Sequence, residues 1–163
     1  MQLKTMDDVF EHELKDLYSA EKQLVEALPK MAKATSNAKL KTAIEKHLEV
    51  TQMQLQRVEE IGKSLGSSVT GHTCEGMKGL IKEGEGLIKD SDKGDALDAA
   101  LIGAAQRIEH YEIAAYGTVR AFARRLGLDD VAQTLQQTLD EEGQTDKLLT
   151  QIAESSVNMQ AAV

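Results

Sequence analysis

Apolar residues recur at steps of three and four along four long stretches of the chain, the period of helices that bury one face. The first stretch reads Phe10, Leu14, Leu17, Glu21, Leu24, Leu28, Met31, and "ATSN" at residues 34–37 ends it. Thr5 and Asp8 at its start form a weaker version of the capping box. Pro29 removes one backbone donor and predicts a bend near Val25. The second stretch carries Leu40, Ile44, Leu48, Thr51, Leu55 and Val58 and stops at "GSS", residues 66–68. A shorter helix is expected after Thr73, with Met77, Leu80, Ile81, Leu87 and Ile88. Gly76, Gly79, Gly84 and Gly86 oppose it, at roughly 1 kcal/mol each against alanine. After a break at "DSDKGD", residues 90–95, the third long stretch holds Leu97, Leu101, Ala105, Ile108, Glu112, Ala115, Val119 and Phe122, with Gly127 as its C′ residue. Asp129 is expected to cap the fourth, which carries Val131, Leu135, Leu139, Glu142, Leu149 and Ile152, and the tail from Val157 is expected to fray.

Two helical hairpins result, residues 5–65 and 94–157, joined by a crossover over residues 66–93. Short turns force antiparallel neighbours, whereas a long connection can run back along the bundle. The expected fold class is all-α: one domain over residues 1–163, a four-helix bundle whose long crossover carries a short fifth helix. A fixed offset relates the hairpins: 112 − 21 = 91 takes Glu21 to Glu112, Phe10 to Leu101, Leu17 to Ile108, Ile44 to Leu135 and Ile61 to Ile152. Two copies of one hairpin about a pseudo-twofold axis are implied.

Near its middle each apolar stripe is broken by a polar residue: Glu21, Thr51, Glu112 and Glu142. The offset puts these breaks at one height, with Glu109, His47, Gln54 and Tyr18 within a turn of them. An unpaired buried carboxylate costs several kcal/mol, so converging acids need compensation. A cation can supply it, with His47 as a nitrogen ligand. Otherwise the acids keep protons and hydrogen-bond to Tyr18, His47, Thr51 and Gln54. Di-metal sites in bundles take one Glu from each of two helices and Glu-x-x-His from the other two. Glu21 and Glu112 meet the first half of that rule. Helix four offers Glu142-x-x-Thr145 and helix two Thr51-x-x-Gln54. A rival frame, Glu49-x-x-Gln52, restores a carboxylate, but Glu45, Gln52, Gln56 and Glu59 around it read as a solvated strip.

Composition narrows the choices further. Three Tyr, two Phe, no Trp and one Pro favour helix over strand. A hydrophobic content of 41% suits a folded domain, and a net charge of −8 argues against nucleic acid and anionic membranes as partners. No apolar run approaches ~20 residues, and "MQLKTMDDVF" lacks a signal-peptide core, so a cytoplasmic location is expected. Cys74, the single cysteine, reads as an inert packed thiol. His110 is assigned to the surface or a dimer contact, His12 and His72 to solvent, and Met53, Met77 and Met159 to packing. Tyr111 and Tyr116 read as packed phenols with bonded hydroxyls, or as redox-active phenols beside a metal. A weak second stripe, Ala43, Val50, Met53 and Ile61, suggests a dimer seam.

The blocks "LYSAEKQL" (17–24), "HLEVTQMQ" (47–54), "ALIGAAQRIEHYEIAAYGTVRAFA" (100–123), "TLDEEGQTDKLLTQIA" (138–153) and "TCEGMKGLIKEGEGLI" in the crossover closely resemble the YciE/YciF family of bacterial ferritin-like proteins. That resemblance implies a ferritin-like bundle, a homodimer, a cytoplasmic location and an association with stress responses. The wider relatives, ferritins and rubrerythrins, bind two irons, oxidise Fe(II) or reduce peroxide. By resemblance, Glu21, Glu109, Glu112 and Glu142 hold rubrerythrin-type carboxylate positions, with Glu109-x-x-Glu112 on helix three. Both histidine places depart, at Gln54 (or Gln52) and at Thr145, where Asp146 or His47 would have to substitute. Two expectations follow. One is a stress protein with one or two ions of iron or manganese and oxidase or peroxide-consuming chemistry. The other is a structural or interaction protein that kept the bundle without a cofactor.

Overall fold

A computed structural model describes residues 3–162; Met1, Gln2 and Val163, the ends of the expected domain, lie outside the described residues. The elements are α1 (Met6–Ala34), α2 (Ala38–Ser64), α3 (Glu75–Asp90), α4 (Asp95–Arg125) and α5 (Asp129–Ile152). A π-helical turn (Ala153–Val157) and α6 (Asn158–Ala161) complete the chain. No strand occurs among the described residues. α1 packs on α2 and α4 on α5 as hairpins; α1 also meets α4, and α2 meets α5. The crossover helix α3 lies against α1 and α4.

Local chemistry sets the boundaries. Thr5 and Asp8 form the reciprocal capping box, and α1 continues through Pro29 to Ala34. At the end of α4, Gly127 adopts φ +74°. Its N–H reaches the Arg124 carbonyl and the Leu128 N–H reaches that of Ala123, the paired bonds of a Schellman motif. The α1–α2 turn is held from outside its own hairpin. Asp98 of α4, fully buried, accepts the backbone N–H groups of Ser36 (2.9 Å) and Asn37 (2.7 Å).

Several expectations change. Asp129 is the first residue of α5, behind Leu128 in the cap position, so it favours the helix start by charge and not by a side-chain bond. The tail does not fray at Val157, which is 1% exposed and packed in the core. Ala132 and Thr138 take the buried places expected for Val131 and Leu139; His47 and Gln54 do so for Leu48 and Leu55. Ile61 belongs to the core and not to a seam, while Met53 and Met159 are exposed.

The apolar core falls into two clusters. One holds Leu24, Leu28, Ile44, Ile108 and Leu149; the other holds Leu14, Leu17, Val58, Tyr116 and Leu135. On every long helix buried polar residues lie between these clusters: Glu21 on α1, His47, Thr51 and Gln54 on α2, Glu109 and Glu112 on α4 and Glu142 on α5. The bundle thus carries a buried polar layer sandwiched between two oily halves.

Candidate metal centre

Four acids sit in this layer, and none is more than 1% exposed: Glu21, Glu109, Glu112 and Glu142. Helical spacing puts Glu109 and Glu112 on one face of α4, and the 91-residue offset puts Glu21 of α1 opposite them. One ligand atom from each of His47, Glu109, Glu112 and Glu142 lies within 4.8 Å of the others.

The surrounding bonds do not satisfy these groups. Tyr116 donates to Glu21 Oε1, and Gln54 Nε2 donates to Glu142 Oε1. Five carboxylate oxygens remain buried without a partner: Glu21 Oε2, Glu109 Oε2, both oxygens of Glu112 and Glu142 Oε2. Thr51, expected to serve the acids, gives its hydroxyl to the His47 carbonyl instead. His47 is oriented by Thr145. The Thr145 hydroxyl donates to the Glu141 carbonyl (3.2 Å), so its 3.4 Å contact with His47 Nδ1 needs the ring hydrogen on Nδ1. The Nε2 lone pair then lies 3.2 Å from Glu109 Oε1, off the line of a hydrogen bond. Two acceptors that close require a proton or a cation between them.

Electrostatics says the same. Burial, reinforced by the charge of Glu142, pushes Glu21 and Glu112 well above the usual carboxylate range. Burial and then the charge of Glu109 raise Glu142. Burial raises Glu109 to about 7. Without a cation the layer holds protons; with one, the orphaned oxygens and the imidazole nitrogen are the hard and borderline donors that iron and manganese take. The residues present therefore fit a metal ion. Glu21, Glu109, Glu112, Glu142 and His47 are the ligands on offer, and Gln54 adds an unpartnered Oε1.

Other candidates lie elsewhere. Glu49 is exposed on the solvated strip of α2 and does not reach the layer. Asp146 turns outward to pair with the exposed His110 at 3.0 Å, because its position on α5 falls beyond the buried stripe. Tyr18 packs half-buried against the apolar cluster, and the phenol that reaches the acids is Tyr116.

Two features were missed in the sequence. Arg57 and Glu141 form a bidentate pair, 2.6 and 2.9 Å, and Glu141 also takes a 3.2 Å bond from Gln54, which links the layer to the bundle surface. No local pattern signals this pair, whose members lie 84 residues apart on α2 and α5. Outside the layer, Tyr111 donates to Asp16 (2.6 Å) and touches Cys74 Sγ (2.9 Å), while His72 holds the other oxygen of Asp16 (2.9 Å). His72 is thus tied down and not simply solvated. Burial outweighs the other influences on Cys74 and raises its pKa, consistent with an inert thiol.

Comparison with known proteins agrees with this architecture. The family described as a domain of unknown function, DUF892, matches residues 5–162. Protein YciF of Escherichia coli (strain K12) is 47% identical over 162 residues, covering 99% of this chain and 98% of that protein. The crystal structure of the E. coli stress protein YciF superposes with a TM-score of 0.92, covering 96% of this chain and 99% of that one. YcfI from Rhodopseudomonas palustris, provisionally described as a structural protein, is 42% identical with a TM-score of 0.86, covering 91% of this chain and 95% of that one.

Proposed function

The chain belongs to the DUF892 family, and from that premise we propose a ferritin-like stress-response protein that binds one or two ions of iron or manganese in its buried polar layer. The observation that carries this reading is the cluster of His47, Glu109, Glu112 and Glu142, with ligand atoms within 4.8 Å of one another, in a layer that buries five unpartnered carboxylate oxygens. Leaving them so in a metal-free protein costs on the order of 1–3 kcal/mol each unless protons compensate. Glu21, Glu109, Glu112, Glu142 and His47 would hold the ions; Tyr116, Gln54 and Thr145 would orient them. A redox-active ion supplies a change of valence, which supports the oxidase or peroxide-consuming chemistry of the wider relatives.

Anaerobic titration with Fe(II), followed spectroscopically and by elemental analysis of protein purified without chelator, tests the reading. Uptake of one or two ions per chain that is lost in Glu21→Ala/Glu112→Ala supports it. No uptake by the wild type, or equal uptake by the double variant, removes it.

A second reading is a structural or interaction protein with no cofactor. Gln54 and Thr145 stand where histidine ligands are wanted, and acids with raised pKa values can stay neutral by keeping their protons. Under that reading chelators leave the melting temperature unchanged. Either version is a cytoplasmic protein, and no helix among the described residues is long and apolar enough to cross a membrane. A homodimer remains part of the proposal, with Ala43, Val50 and Met53 as the seam left after Ile61 is withdrawn; sedimentation as a monomer overturns it.

A further inference from the structure

The amide of Gln54 is fully buried, and its neighbours decide which way it faces. Arg57 grips Glu141 with two nitrogens, Nη1 at 2.6 Å and Nη2 at 2.9 Å, and Nη1 also reaches the Thr138 hydroxyl at 3.2 Å. The two side chains are largely shielded, 17% and 23% exposed. A carboxylate held by a guanidinium fork only accepts hydrogen bonds. Gln54 therefore turns its nitrogen to Glu141, with Nε2 3.2 Å from Oε2. The second amide hydrogen goes to Glu142 Oε1. The reverse orientation would set the amide oxygen against the Glu141 carboxylate. Gln54 Oε1 and Glu142 Oε2 are the atoms left buried without a partner.

We propose that Arg57 and Glu141 are positioning residues for metal preference: by fixing the Gln54 amide they offer the ion a neutral oxygen, which helps manganese more than zinc. The proposal rests on the metal-binding reading and adds selectivity to it. Zinc takes four ligands, and His47, Glu109, Glu112 and Glu142 already supply that number. Manganese takes six, predominantly oxygen, so it gains more from an added amide oxygen. The general order of affinities, in which zinc binds tighter than manganese, is kept; the lock on Gln54 narrows the gap.

Dissociation constants for Mn(II) and Zn(II), measured on the full chain by competition with a chromophoric chelator, test the lock. Gln54→Leu, Glu141→Gln and Arg57→Met are each expected to weaken Mn(II) relative to Zn(II) by about tenfold. Glu141→Gln removes a negative charge and Arg57→Met a positive one. Simple electrostatics therefore moves the two variants in opposite directions and shifts both ions alike, whereas the lock moves the Mn(II)-to-Zn(II) ratio the same way in both. Glu141→Gln/Gln54→Leu is expected to match Gln54→Leu alone, because the pair acts through the amide. If Arg57→Met does not fold, Arg57→Lys, which keeps the charge but not the fork, takes its place with the same expected direction. Glu85→Gln, which breaks the exposed Lys30–Glu85 pair, should alter neither constant. Binding of neither ion by the wild type overturns the metal reading and the preference together. Binding of both at a ratio that Glu141→Gln and the Arg57 variant leave unchanged overturns the lock alone, and so does a further loss in the double variant.

Discussion

Tyr116 of α4 donates its phenolic hydrogen to Glu21 of α1, and the two side chains are 1% and 0% exposed. Burial and the neighbouring Glu21 hold the phenol's pKa well above its usual value, so it is a hydrogen donor and not a phenolate. The bond fixes one oxygen of Glu21 and leaves Oε2 free for a ligand role. Tyr116→Phe is expected to weaken Fe(II) affinity by about 10-fold to 100-fold, the usual effect of losing a partner behind a ligand. Calorimetric titration measures this, and an unchanged affinity would place Glu21 outside the coordination sphere.

The metal-free protein is expected to lose stability as pH rises from 5 towards 8. Glu109 has a usual value of 4.5 and is raised to about 7 in the fold; Glu21, Glu112 and Glu142 shift the same way. Between those values the folded chain binds more protons than the unfolded one, so the contribution of Glu109 is full below about 4.5 and gone once pH passes about 7, and the other three acids extend the loss in the same direction. Asp16 acts in the opposite sense, but its lowered pKa confines it to more acid conditions. A metal ion competes with these same protons, so its added stabilisation grows with pH. Urea midpoints at pH 5.5 and 8, with and without Fe(II), check both signs.

Much of the bundle was legible because burial repeats with the helical period. Phe10, Leu14, Leu17, Leu24 and Leu28 declare the inner face of α1 from spacing alone, and the 91-residue offset aligned Glu21 with Glu112. Helix α2 was harder. Its buried face at the layer is His47, Thr51 and Gln54, and hydropathy favours Leu48 and Leu55 one position away. A polar stripe inside a bundle cannot be told from a solvated one by hydrophobicity, which is why Glu49 competed with Gln54. Arg57–Glu141 and Asp98 escaped notice for another reason: their partners lie across the fold, and no local period signals a contact between distant segments.

Glu112 has no hydrogen bond to either oxygen, so its burial is a cost that only a proton or a cation reduces. Glu112→Leu is expected to raise the stability of the metal-free protein at pH 8 by about 1–4 kcal/mol, as replacing buried charges by packed apolar groups often does. The same change should abolish stoichiometric Fe(II) uptake. Destabilisation instead would mean that Glu112 is satisfied by groups within the fold.

Asp98 holds the α1–α2 turn through two backbone N–H groups, far from the layer. Asp98→Ala leaves both donors without their carboxylate and is expected to cost about 2–4 kcal/mol by urea denaturation. Iron stoichiometry at saturating Fe(II) should not change. A loss of uptake in the folded variant would show that the turn and the layer are coupled.

His47 and Glu49 lie two residues apart on α2, one 6% exposed and the other on the outer strip. The sequence offered Glu49 as a carboxylate in the rival frame Glu49-x-x-Gln52 and His47 as a substitute for a missing histidine, and only His47 reaches the layer, with a nitrogen 3.2 Å from Glu109. Its tautomer is set by Thr145, which occupies the other missing histidine's place and supports a ligand instead of being one. His47→Ala is therefore expected to lower Fe(II) affinity by at least about 100-fold, and Thr145→Val by about 10-fold, the range seen for outer partners of a ligating histidine. Glu49→Ala should match the wild type. Equal affinities for all three variants would leave a site of carboxylates alone, with the imidazole outside the coordination sphere.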